Sequence, residues 1–371
     1  MKKSNSLNVF LVLLLLCGFR YGYAETQGIS ISQSSFIQSS FQYIKDDSGT
    51  FSIKDVRSLA DNSWLEEATG SANFGMTTDP YWLRFKLNNI SNKNLNLVAA
   101  LDYSQLDDVV FYEFLGDVKL REFATGDTKP FYPRDVDHPI MSFHVSLEAK
   151  QAKTIYIRVQ TDGSMILPLR ILHENMFFVE ASKEQKLHFF YFGCLTVIIL
   201  INLAVFLTLR EKLYLYYAVA ISGYLLFFTS ISGYSFQHLY PQYPALHGRA
   251  LLVSMPILAL FSVLFCREFL QTKQHSLKLD MALRAMLYFE IFNFFSALFF
   301  SYNTAIMISA ISALFFFSLL LIAGPISWAA GLRAGIFFTI AWTPLTIGVL
   351  ATTGRSLGFF PENFITQYAM Q

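Results

Sequence analysis

Glu290 and Asn293 stand one helical turn apart in the apolar stretch ALRAMLYFEIFNFFSALFF. Side chains three residues apart share one face of a helix. An ionisable group inside a membrane span is a functional candidate, because burying it there is costly. The pair is expected to couple helices through hydrogen bonds across the bundle. The alternative is that Glu290, less than two turns from the inner end of its helix, reaches the interface or Arg284.

Elsewhere the residues that do chemistry fall into no working set. Ser164 follows Gly163, yet no nucleophile-elbow sequence surrounds it and no placed His–acid pair would activate it. His138, His144 and His173 lack zinc-ligand spacing. Asp102, Asp107, Asp127 and Asp135 match no calcium loop, and aspartate is also a routine turn residue. No catalytic residue, metal or cofactor is therefore expected, the chain is not read as an enzyme, and nucleic acid is not an expected partner.

The elements that hold these residues follow from composition. The chain is 53% hydrophobic and only 15% charged, too apolar for an ordinary soluble protein. The charge is unevenly spread: it thins from Leu187 onward, so the formal +1 averages two unlike halves. A soluble domain of roughly 160 residues, large enough for its own core, precedes a membrane domain. Lys2, Lys3, the run FLVLLLLCGF and the small residues Gly22 and Ala24 read as a signal peptide over 1–24. An uncleaved first helix is the alternative, but Val9 to Phe19 is about half of the ~20 residues a span needs. Large Leu16 ahead of Cys17 argues against lipidation. Cys194 and Cys266 lie in apolar segments, so the exported domain has no disulfide framework.

Six spans are expected, at about 187–209, 213–235, 248–266, 285–300, 304–323 and 335–353. Pro256 is tolerated as a kink in the third. Basic residues set direction. If the soluble domain is outside, the inner loops hold Arg210, Lys212, Arg267, Lys273, Lys278, Arg284 and Arg333, and the outer loops only Arg249 and Arg355. The expected location is a bacterial inner membrane with the N-terminal domain in the periplasm.

Between a linker at 25–35 and a juxtamembrane connector at 179–186, residues 36–178 read as an all-β domain, a β-sandwich or jelly roll. YWLRFKLNN alternates, DDVVFYEF follows, and TIYIRVQTDGSMILPLRIL gives two strands about a DG turn. IKDVRSLA near the start suits a short helix.

FQYIKDDSGTFSIKDV, PYWLRFKLNN, LDDVVFY, GDTKPFYPRD and IYIRVQTDGSMILPLRI, in that order ahead of a membrane block, closely resemble the bacterial seven-transmembrane receptors with diverse intracellular signalling modules. The resemblance implies a periplasmic jelly roll similar to carbohydrate-binding modules, a seven-helix bundle and a cytoplasmic output domain. In relatives that output is commonly a diguanylate cyclase, histidine kinase or phosphatase. At matching motif positions Tyr81, Trp82, Arg84, Arg134 and Arg158 are the candidates for a sugar-type site, where an aromatic face stacks on the ring and polar groups bond hydroxyls. Alternation puts Tyr81 on one face and Trp82 with Arg84 on the other, so Trp82 packed on the stem of Arg84 is the competing expectation.

The function expected is a receptor whose outer domain senses a small ligand, a carbohydrate being one candidate, and passes the signal through the bundle. Its partners would be the bilayer and a second copy or a separate signalling chain. A transporter with a solute-binding domain and a non-functional receptor remnant are the alternatives. LGFFPENFITQYAMQ resembles the outer loop entering the family's seventh span, so the chain is expected to stop within that helix, short of its output domain.

Overall fold

The computed structural model describes residues 30–31, 37–38, 40–68 and 70–356. The expected leader and the expected start of a seventh span lie outside the described residues. Two short strands, β1 (Ser30–Ile31) and β2 (Ile37–Gln38), precede β3 (Phe41–Lys45), helix α1 (Ile53–Ser58), β4 (Leu65–Glu67), β5 (Ser71–Met76) and β6 (Tyr81–Asn89). Then come β7 (Leu95–Leu101), β8 (Asp108–Leu115), β9 (Val118–Thr125), β10 (Met141–Leu147), β11 (Ala152–Gln160) and β12 (Ser164–His173). One sheet runs β4-β3-β6-β11-β8-β9 with β1 beside β6. The other runs β10-β7-β12-β2 with β5 beside β12.

The period-2 pattern explains the sandwich. In β6, Tyr81, Leu83, Phe85 and Leu87 point to the second sheet and join Leu97, Ala99, Leu101 and Ile171 in one core. Phe111 of β8 stacks on Phe143 of β10 at 4.6 Å, clamping sheet to sheet. The outer face of the first sheet is also covered: Trp82, Tyr112 and Tyr156 pack beneath Trp64 and Val56. Helix α1 starts on a capping box, with Ser52 accepting from the Asp55 N–H and Asp55 accepting from the Ser52 N–H. The strands flanking Asp162-Gly163 form as expected, but they do not pair. That bend carries the chain from one sheet to the other instead of closing a hairpin.

The helical part begins without a break from β12. It comprises α2 (Glu174–Leu209), α3 (Lys212–Ile231), the short α4 (Tyr234–His238), α5 (Pro244–Phe269), the short α6 (Thr272–His275), α7 (Leu277–Phe299), α8 (Tyr302–Ala329) and α9 (Ala334–Ser356). Helices α2, α3, α5, α7 and α8 are long and apolar enough to cross a membrane, and α9 has a shorter apolar part, Ala334–Val349. Large apolar side chains such as Phe190, Leu200 and Phe299 are more than half exposed on these helices, as a hydrocarbon environment allows.

Two helix starts differ most from expectation. The connector at 179–186 is helical, because EASKEQK is rich in good helix formers and has no breaker, so α2 runs for 36 residues. Helix α7 starts at Leu277, eight residues before the expected span, on a Ser276 cap that accepts from the Leu279 N–H.

Candidate functional site

Successive helices alternate in direction, so the helix ends near residues 174, 231, 244, 299 and 302 share one end of the bundle, and the β-domain sits on that end. The last carbonyls of a helix have no partner within it, and here the β-domain supplies donors. Ser104 Oγ donates to the Ile231 carbonyl at 2.6 Å and Gln105 Nε2 to the Ser230 carbonyl at 3.1 Å. Both side chains are buried. Just beyond, Gly233 turns the chain with φ of 78°. A Cβ there would lie 3.1 Å from Pro139 Cβ and 3.2 Å from Ser104 Cβ, so glycine lets the helix turn lie flat on the β-domain.

The segment between β9 and β10 forms the other half of the junction. The Phe131 N–H donates to the Pro241 carbonyl at 2.8 Å, and its ring meets Phe236 edge-on at 5.5 Å. Gln237 Nε2 donates to Asp137 Oδ1 at 2.8 Å. Arg134 lies 4.1 Å over the Phe131 ring and donates to the carbonyls of His138 and Pro139 at 3.0 and 2.6 Å. Burial lowers the Arg134 guanidinium to about 10, which still leaves it charged at neutral pH.

Helix α2 is tied down at its first turn. Phe177 is buried among Val98, Ala100 and Leu172 on the outer face of the second sheet and meets the His138 ring edge-on at 5.3 Å. Arg170 of β12 pairs with Asp102 at 3.0 Å and with Glu180 of α2 at 3.6 Å. Such partly exposed pairs contribute little individually, and the buried Phe177 ring is the main contact of this first turn. Burial, then the charges of Arg170 and Arg134, depress the His138 imidazole to about 4.

Beside this contact lies a hydrogen-bonded carboxyl pair, Asp107 and Asp127. Burial raises both, and Asp127 rises further because the Asp107 carboxylate faces it. Asp107 Oδ2 also accepts from the Asp162 N–H at 2.7 Å. The segments can approach because residue 126 is glycine: a Cβ there would fall 1.9 Å from the Asp107 carbonyl oxygen.

A cavity of about 140 Å³ opens beneath the junction. Met76, Tyr103 and Ser164 line its β-domain end, and Glu290, Asn293 and Ser312 its far end. Asn293 Nδ2 donates to Glu290 Oε2 at 3.2 Å, Ser309 donates to Asn293 Oδ1 at 3.0 Å, and Ser312 donates to Glu290 Oε1. Glu290 therefore turns inward and makes no contact with Arg284, which pairs with Asp280 near the opposite end of the bundle.

The five residues singled out for a sugar-type site are dispersed. Tyr81 is 7% exposed in the inter-sheet core, stacked on Phe74 at 4.1 Å, and Trp82 is 1% exposed against Tyr112. Arg84 is engaged on the outer face of the first sheet. Its cross-strand neighbour Gln42 takes two of its hydrogen bonds, at 3.0 and 2.7 Å, and its guanidinium sits 4.4 Å over the Trp64 ring. Arg158 pairs with Asp108 at 3.2 Å and donates to Gln160 at 2.8 Å. Arg134 alone is at the junction. Ser104, Gln105, Gly233 and Gln237 carry no motif that distinguishes them from ordinary loop residues.

Two comparisons bear on this architecture. Residues 184–371 match the family described as 7TM diverse intracellular signalling, and residues 38–173 match 7TMR-DISM extracellular 2. No curated protein matches the chain. An all-β domain of the one type, seated on the helices of the other, places the chain in the family of seven-transmembrane receptors with diverse intracellular signalling modules.

Proposed function

We propose that the protein is a signal-transducing membrane receptor in which a change in the β-domain is transmitted to the helices through the junction. The observation that carries this reading is the capping of α3 by Ser104 and Gln105: at the buried end of a membrane helix the sensor domain donates to the Ile231 carbonyl and joins the Gly233 N–H on the Ser230 carbonyl. Shifting the 102–107 loop would leave the Ile231 and Ser230 carbonyls without those donors. The position of the loop and the position of α3 are thus linked energetically, as transmission between two sites requires. Neither matched domain is of a catalytic type, so the output belongs to a further domain or a partner chain.

The β-domain is assigned to the periplasm and the opposite end of the bundle to the cytoplasm. Arg210, Lys212, Arg267, Lys273 and Arg333 all lie at helix ends remote from the β-domain, the distribution that keeps such loops inside. A small ligand of the β-domain is the proposed stimulus. A sugar bound through Tyr81 or Trp82 would need the core around them to open, so Arg84 and Arg158, on the outer face of the first sheet, are the better placed of the original candidates.

Single cysteines at Asn94 and at Lys273, each in a cysteine-free background, test the assignment in intact cells. A membrane-impermeant maleimide should label position 94 and not position 273 once the outer membrane is permeabilised. Labelling of position 273 alone would reverse the topology and remove the receptor reading.

A further inference from the structure

Glu290 is fully buried near the middle of α7, about 14 Å along the helix from its β-domain end at 1.5 Å per residue. Among the described residues it has no basic partner, since Arg267 and Arg284 are both engaged by Asp280. Its donors, Asn293 and Ser312, are neutral. A buried carboxylate held only by neutral donors is incompletely compensated, and a cation is the group that best completes it.

The space next to it suits such a guest. The cavity walls above the polar end are apolar, formed by Met255, Leu258, Ala310 and Phe316, and the aromatic rings of Tyr224 and Tyr302 line the same space. Apolar walls with a few convergent polar groups are the usual make-up of a small-molecule site, and the aromatic faces also favour a cation. A cavity of about 150 Å³ accepts one benzene-sized molecule, so about 140 Å³ sets the ligand at a single ring with a short chain.

We infer that this cavity is a binding site for a small amine, with a ring-sized apolar body between the helices and an ammonium group hydrogen-bonded to Glu290. Water does not reach Glu290 in this conformation. The ammonium therefore takes the place of one neutral donor, with the Ser312 hydroxyl the simplest to turn away. The site lies among α3, α5, α7 and α8, with Met76, Tyr103 and Ser164 of the β-domain at its other end, and the binding test reads its occupancy alone, whatever the outcome for transmission through the junction.

The test is equilibrium binding to the full chain in lipid nanodiscs, using 2-phenylethylamine and its neutral counterpart 2-phenylethanol. The wild-type chain should bind the amine saturably and at least about tenfold more tightly than the alcohol, the scale of one charge-assisted hydrogen bond. Glu290→Gln, which keeps shape and hydrogen bonding, should bring the two probes to within about twofold. Ala310→Phe, which fills the space, should abolish saturable binding of both. Absence of saturable amine binding to the wild type, equal affinity for the two probes, or selectivity retained in Glu290→Gln would each overturn the assignment.

Discussion

Ser104 Oγ hydrogen-bonds the Ile231 carbonyl at 2.6 Å, so a loop of the sensor domain caps a membrane helix 127 residues further along the chain. Its neighbour Gln105 caps Ser230 in the same way. Ser104→Ala leaves a buried carbonyl without this donor, a loss of about 1–3 kcal/mol. We expect amides at 228–238 to exchange hydrogen faster in Ser104→Ala and Gln105→Ala, while strands β6 and β11 keep wild-type protection. Unchanged exchange at 228–238 would show that the caps are dispensable.

Gly233 sets how closely the two parts approach. Its φ of 78° disfavours any side chain, and a Cβ would press on Pro139 and Ser104 at 3.1–3.2 Å. Gly233→Ala should lower the thermal midpoint of the intact chain in nanodiscs, at a cost of about 1–2 kcal/mol. Gly116, also at positive φ but with open space around it, is the control: Gly116→Ala adds strain without touching the junction, so only Gly233→Ala should accelerate exchange at 228–238.

Two titrations act on the junction with opposite sign. His138 is neutral in the folded protein down to about 4, whereas in an unfolded chain it takes up a proton near about 6.5. Its contribution is complete above that value and is lost as pH falls through the window between them, by up to about 3 kcal/mol. Asp127 is held well above the ordinary carboxylate range, so its contribution is complete below about 4 and declines as pH rises. Unfolding midpoints measured from pH 4 to 8 should show His138→Gln flattening the acid limb and Asp127→Asn flattening the rise-of-pH limb. A parallel shift of the whole profile in both variants would contradict these assignments.

Trp82 and Phe177 separate packing from recognition. Trp82 is buried against Tyr112, and Phe177 fills the space between α2 and the second sheet. Removing either ring should cost about 3–5 kcal/mol. For Trp82→Ala the loss should appear as weakened protection across β6 and β8, and for Phe177→Ala as fraying of residues 174–184. A Trp82→Ala chain of full stability would return that ring to the list of binding candidates.

The fold was legible where the pattern is strong. The alternation of YWLRFKLNN fixed which side of β6 meets the core, and uninterrupted apolar runs marked the helices. Helix ends were harder, because LQTKQHSLKLD is polar yet partly helical under a Ser276 cap. The partners of the Arg84 guanidinium were not legible, because alternation along one strand says nothing of cross-strand neighbours, and Gln42 and Trp64 take it. The junction was not legible at all. Ser104 and Gln105 matter through partners about 125 residues away, and no local spacing encodes such contacts. Glu290 and Asn293 were found because a charge among apolar residues is conspicuous, but Ser309 and Ser312, which complete their network, lie on the next helix.

A disturbance at the β-domain end of the bundle is expected to reach the other end. Spin labels at Glu211 and Lys273, in the two turns remote from the β-domain, measure this directly by pulsed dipolar distance distributions on the full chain in nanodiscs. Ser104→Ala combined with Gln105→Ala should shift the population between distance peaks, or move the main peak, relative to the parent chain. Superimposable distributions, obtained while hydrogen exchange confirms that the caps at 228–238 have been released, would contradict it.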